Sequence, residues 1–351
     1  MPTNNRTNET TVEGNVAAAP EMSVADASAA LVRARVTELA DPNRLRHRKR
    51  RRTGRLGNFR RRLRRRWGDA LDTLEELVAT CAELGDQVAL AHHDDSLLFL
   101  ALELLRNRAV QVGWEVHSLA TSGFADGAYG RWRTLHEVAV VSEFLSQFGE
   151  EAATRYLEHA LVRNGRVIRE YNECQKRLGY PRIPQAEVDR SERLKEELLD
   201  KYGRDFGNEW GWAAKACKKS DPSFFDLRIA AGYAHWKAHS GLANHALHAG
   251  PHGVLFRLGH PLGSQPQPLS GPSLVGLGDP IDACAISEMH ATFAFVFAMR
   301  REDAVELESE LEVTALIKYV SVLAKETGEL VKVASERVQR EFGRNEAESE
   351  Q

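Results

Sequence analysis

The 351 residues carry 42% hydrophobic and 28% charged side chains, a balance that buries a sizeable core and excludes a fibrous or wholly disordered chain. Net charge is −3, and the four cysteines, Cys81, Cys174, Cys217 and Cys284, are too scattered for a C-x-x-C metal pair or a disulfide framework, which fits a reducing, cytoplasmic setting. The longest apolar run, ATFAFVFAM at 291–299, is about half of the roughly twenty residues a bilayer crossing needs, so no transmembrane segment is expected.

Residues 1–43 open on MPTNNRTNET and stay rich in Thr, Asn, Ala and Glu. With no basic start and no apolar stretch they read as a disordered leader, not a secretory signal. Residues 44–67 form an arginine-rich arm: RLRHRKRRRTGRLGNFRRRLRRR holds thirteen Arg, one Lys and no acid, which leaves −17 on the rest of the chain. Like charges at this density repel, and they predict a segment that stays extended or only transiently helical until an anion binds. Nucleic acid is the expected partner, RNA ahead of DNA, because every neutralised phosphate releases counterions. Arg50, Arg51, Arg52, Arg60, Arg61, Arg62, Arg64, Arg65 and Arg66 are the expected contacts. An anionic membrane surface, or folding back on the acidic remainder, are the alternatives.

A helical body is expected over 68–300. Leu71, Leu74, Leu77, Val78, Cys81 and Leu84 recur at threes and fours, and Gly85 is placed to end that helix. Further helices are predicted near 96–120, 125–148, 151–178, 186–202, 223–249 and 281–300. Residues 204–222 read as irregular. The segment 250–280 holds seven Gly and six Pro and reads as a long loop in which HGVLFRLG and PSLVGLG pair as a small hairpin. A long C-terminal helix follows over 301–341, with a tail at 342–351. Its stripe of Leu307, Leu311, Val320, Leu323, Leu330 and Ala334 suits core packing, with a homodimer seam as the alternative. The class is an all-α, multi-helix bundle.

Familiar catalytic signatures are absent. His136-Glu137 begins H-E-x-x-H, but Val140 occupies the second histidine position, and no E-x-x-H occurs for a di-iron bundle. No cofactor is expected. Five histidines crowd residues 235–252, and a metal-dependent hydrolase using them is one alternative. On one straight helix, however, His235 and His239 lie on a different side from His245 and His248, so no single ion collects them. Arg133 and Glu137 are four apart on a largely apolar helix, which requires a pair or a polar cavity. Tyr233, Ser240 and Asn244 fall on one face if 223–249 is a continuous helix.

The segment from about 96 to 300 resembles an uncharacterised bacterial all-helical domain of unknown function. The resemblance rests on an R-x-x-x-E helix (Arg133, Glu137), a G-W element (Gly211, Trp212) and a Y-x6-S-x4-H helix (Tyr233, Ser240, His245). It implies Arg133, Glu137, Ser240 and His245 as a site, with Tyr233 and Trp212 beside a ligand; Asn244, from the shared helix face, and His239 are the further expected ligand contacts. It implies no reaction. A weaker similarity is to HEPN ribonucleases, helical enzymes of bacterial toxin and phage-defence systems that cleave RNA without metal through Arg and His at a dimer interface. It rests on Arg131 with His136 (R-x4-H) and Arg228 with His235 (R-x6-H), although Trp132 and Ile229 replace the polar residue usual after the Arg. The expectation is therefore a nucleic-acid-associated helical protein, with metal-independent RNA cleavage by His245 as general acid/base and Arg133 holding phosphate charge. A non-enzymatic helical scaffold with a localising arm is the competing reading.

Overall fold

The computed structural model describes residues 24–260, 269–300 and 307–349, and the fold is all-α, with eleven α-helices and no strand among those residues. The helices are α1 (Val24–Ala40), α2 (Pro42–Ala91), α3 (Leu97–Thr121), α4 (Ala125–Leu178), α5 (Gln185–Tyr202) and α6 (Ala214–Cys217), then α7 (Phe224–Ala230), α8 (Lys237–Leu247), α9 (Pro251–Leu255), α10 (Gly278–Met299) and α11 (Leu307–Ser349). The chain divides into two compact units, residues 1–59 and 60–351.

The first unit holds α1 and the start of α2. Helix α1 falls within the segment expected as a leader, while residues 1–23 lie outside the described residues. At the α1–α2 junction Asp41 Oδ1 accepts from the Arg44 amide at 2.9 Å, and Glu38 pairs with both Arg35 and Arg44. The arm is helical throughout, not extended.

The second unit owes its core to the apolar faces of α2, α3, α4, α10 and α11. In α2 the predicted Leu71, Leu74, Leu77, Val78, Cys81 and Leu84 are all fully buried, joined by Leu63, Trp67 and Val88. Gly85 does not end the helix: a Cβ there would lie 2.2 Å from the Arg106 side chain, so the missing side chain is a slot for the Arg106 stem. Ser96 caps α3, its Oγ accepting from the Phe99 amide at 3.0 Å. Glu150 adds its carboxylate to the amides of Leu97 and Leu98, at 3.0 and 2.8 Å. That glutamate is delivered by a bend in α4 at Gly149 (φ 69°), between the two helices the sequence predicts there.

Helix α10 is, among the described residues, the one helix long and apolar enough to cross a membrane by length and composition. Here most of its side chains are buried in the core, and it carries Asp279, Asp282 and Glu288. Helix α11 packs with α10: Cβ atoms at Gly278 and Gly328 would meet Ser335 Oγ and Asp282 Oδ1 at 2.8 and 2.9 Å. Its buried stripe is Val313, Val320, Leu323, Ala324, Thr327, Val331, Ala334 and Val338, whereas Leu311 is exposed. The stripe thus serves packing within this chain, and α11 runs on to Ser349 through the segment expected as a tail.

Two expectations are corrected. The helix predicted over 223–249 is broken: α7 ends, Gly232 takes φ 80°, and a 3₁₀ turn at Ala234–Trp236 leads into α8. The hairpin in 250–280 does not form among the described residues. Pro251 starts α9, and Ser273 ties the loop instead, its amide donating to Gly123 O at 2.8 Å and its Oγ to Gly259 O at 2.7 Å. Residues 261–268 lie outside the described residues.

Candidate functional site

The break at Gly232 positions the site. It turns the chain so that α7, the 3₁₀ turn and α8 lay Phe224, Arg228, Tyr233, Trp236 and Ser240 near the first half of α4, with Tyr233 also against the middle of α10. Helix α4 contributes Trp132, Arg133, His136 and Glu137, and α10 contributes His290. Trp132 is fully buried, stacks on Tyr129 at 4.9 Å and on His136 at 5.4 Å, and donates its indole N–H to Ser287 Oγ at 2.9 Å. The His136 ring also meets the edges of Phe224 and Tyr233 and lies 5.9 Å from Trp236. Tyr233 in turn faces His290 at 5.2 Å.

On this aromatic base sit two guanidinium groups, of Arg133 and Arg228, each 4.9 Å from the centroid of the Phe224 ring. Arg133 Nη1 donates to Glu137 Oε2 at 2.6 Å, forming the predicted i,i+4 pair. Arg228, 7% exposed, has no carboxylate partner among the described residues and donates to Ser240 Oγ at 2.7 Å, which donates to Lys237 O at 3.1 Å. Burial, reinforced by Arg228 and Arg133 and then by His290 and His235, holds the His136 pKa down at about 3, so its ring is neutral at pH 7. Burial, with His235 adding to it, also lowers the pKa of His290. The ensemble is a half-buried, positively biased, aromatic-lined cluster in which His136 is neutral.

Of the residues expected at a site, the structure brings together Arg133, Glu137, Ser240 and Tyr233, although Tyr233 precedes α8 and owes its place to the turn. His245 does not join them. It is exposed and stacks on His252 at 4.0 Å, because Pro251 restarts a helix that brings His252 back beside α8. His239 instead shares a 3.3 Å hydrogen bond with the Tyr129 hydroxyl. Asn244 is half-buried on α8. Among the described residues no three His, Cys, Asp or Glu side chains are grouped to hold a metal, so the histidine-rich stretch forms no ligand set there.

The Gly211-Trp212 element is held by close packing and backbone contacts. Trp212 packs on Phe144 and Tyr156, and its carbonyl accepts from buried Arg155 at 2.9 Å. A Cβ on Gly211 would fall 2.3 Å from Asp205 O and 2.6 Å from Phe206 O, both backbone atoms that cannot swing aside. Gly211→Ala is therefore expected to cost about 1–3 kcal/mol, as overpacking does, read as a lower urea midpoint.

Arg228, His290 and Trp236 are the residues that periodicity missed. The spacing of Arg228 to His235 singled out the arginine, but nothing in the sequence placed it beside Arg133. The arm's arginines also divide. In the second unit Arg64 pairs with Asp72, and Arg66 with Glu341, its Nε at 2.7 Å from Oε2. These two are committed within the fold. Arg50, Arg51, Arg52, Arg60, Arg62 and Arg65 are exposed, and among the described residues no carboxylate pairs with them.

No curated protein and no solved structure matches the chain. Residues 100–264, which run from α3 beyond α9 and include Arg133, Glu137, Arg228 and Ser240, are similar to a family of unknown function, DUF5677, whose model they match.

Proposed function

We propose that the protein binds nucleic acid, RNA ahead of DNA, through the exposed arginines of α2. One observation carries this reading: within 44–66 a helix displays exposed guanidinium groups that pair with no carboxylate among the described residues, Arg50, Arg51, Arg52, Arg60, Arg62 and Arg65. Such side chains lose little on meeting phosphates and gain counterion release. Arg64 and Arg66, already paired, contribute less. A cytoplasmic bacterial setting of the toxin or phage-defence kind belongs to the same reading.

The test is the salt dependence of single-stranded RNA binding by the full chain. Changing Arg50, Arg51, Arg52, Arg60, Arg62 and Arg65 together to Gln is expected to weaken binding about 100-fold or more at 50 mM salt. It should also flatten the slope of log affinity against log salt by about 4, since each phosphate contact on a single strand contributes about 0.7. Unchanged affinity and slope in that variant would overturn the proposal.

A second reading is favoured by the placing of Arg133 and Arg228 on the one Phe224 ring, with His235 in the 3₁₀ turn that follows α7: metal-independent RNA cleavage. Exposed His235 takes the acid/base role first given to His245, and the two arginines hold the phosphate. Degradation of RNA in excess EDTA should be lost in His235→Ala and kept in His245→Ala. No degradation by the unaltered protein leaves a binding module.

A further inference from the structure

Arg133, Arg228 and His136 have hydrogen-bonding capacity that the described residues do not use. Arg133 Nε, Arg228 Nε and His136 Nε2 are each buried, and none has a hydrogen-bond partner among the described residues. Arg228 is 7% and His136 1% exposed, while the Arg133 and Glu137 side chains keep 18% and 38% exposure at the rim. Among the described residues the two guanidinium groups share one ion-paired carboxylate, Glu137, which pairs with Arg133, so Arg228 is without an ion pair there. Buried donors and buried charge left in this state are costly, and a complementary group held by these three side chains around Phe224 would remove that cost.

The group's chemistry can be read from the donors. Two planar guanidinium forks match an oxyanion with several acceptor oxygens and negative charge on more than one of them. A neutral imidazole adds a donor or an acceptor without adding charge. A lone carboxylate offers two oxygens and one charge, enough for one arginine only. The Phe224, Trp132, Trp236 and Tyr233 rings keep the surroundings low in dielectric, which strengthens each ionic hydrogen bond. We infer that Arg133, Arg228 and His136 form a binding site for a phosphate monoester dianion, supplied as inorganic phosphate or as the terminal phosphate of a nucleotide. This deepens the second reading above by naming what its arginines hold, and it is independent of the arm.

The experiment is titration of the full chain with inorganic phosphate, with adenosine monophosphate and with acetate, at matched ionic strength, by calorimetry and by NMR of the arginine Nε–H signals. Saturable binding of phosphate or the nucleotide, weak or absent binding of acetate, and shifts of two buried Nε–H signals in the unaltered protein are expected. Tighter binding of the nucleotide than of phosphate would assign the terminal phosphate as occupant, and equal binding would assign the free ion. Arg133→Met and Arg228→Met should each weaken binding tenfold or more. Should either fail to fold, the Nε–H shifts of the unaltered protein decide alone. Changing Arg50, Arg51 and Arg52 to Gln should leave this binding intact while lowering RNA affinity, so failure of the arm proposal and failure of this site are read separately. Absent Nε–H shifts, or equal binding in Arg228→Met, would overturn the site.

Discussion

Glu288→Gln is expected to stabilise the protein, by about 1 kcal/mol at pH 5 and by an amount on the order of 4 kcal/mol at pH 8. Glu288 sits on α10 with no exposed surface, neither carboxyl oxygen has a partner among the described residues, and a Cβ on Gly113 would lie 2.9 Å from Oε2. Burial pushes its pKa up to about 8, and the pull of Arg106 only partly offsets that. The folded protein therefore keeps a proton that the unfolded chain gives up above the ordinary value of 4.5. Between 4.5 and 8 each rise in pH favours unfolding, and stability present at low pH is lost toward the alkaline end. Glutamine keeps the shape and removes the titration. Urea midpoints of the two proteins across pH 5 to 8 should diverge steadily, and parallel curves would show that Glu288 is ionised and paired.

The acid side is governed by His136 in the opposite sense. Its folded pKa of about 3 lies below the ordinary 6.5, so between those values the unfolded chain binds a proton that the folded protein refuses. The stability it preserves is complete above pH 6.5 and is lost as pH falls, at up to about 1.4 kcal/mol per pH unit for one site. Burial depresses His117, His159 and His290 in the same direction. His136→Phe keeps a flat ring against Trp132 and should make the decline from pH 6.5 to 4 shallower by up to that slope, leaving the other three to act. An unaltered decline would show that a proton reaches His136 without opening the fold.

Much of the architecture was legible because helical burial writes a regular pattern. The α2 face from Leu71 to Leu84 was read residue by residue, and the two halves of α4 were separated at the right place. Where the reading failed, a local feature outweighed periodicity. Gly85 looked like a stop, yet it accommodates an arginine from another helix. Gly232 looked like an interior residue, yet its positive φ ends α7 and creates the site. On a continuous helix, Tyr233, Ser240 and Asn244 share a face; in the structure Tyr233 is placed by the turn, and Ser240 serves Arg228. The Arg133–Glu137 pair was legible because four residues of helix suffice to make it. Arg228 beside Arg133 was not, because that neighbourhood depends on a bend and on the packing of three elements distant in sequence.

Between Pro42 and Arg62 helix α2 buries no side chain, and it contains Gly54 and Gly57, each worth about 1 kcal/mol less than alanine in a helix. Opening a turn there sacrifices no core contact and relieves repulsion between neighbouring arginines. Trypsin cleaves after arginine in opened chain, so limited digestion should begin in this stretch and leave the bundle from Leu63 onward intact. A polyanion lying along the helix would hold it closed and cover the cleavage points. Resistance to brief digestion is thus a label-free record of occupancy, written by the same side chains that would make the contact.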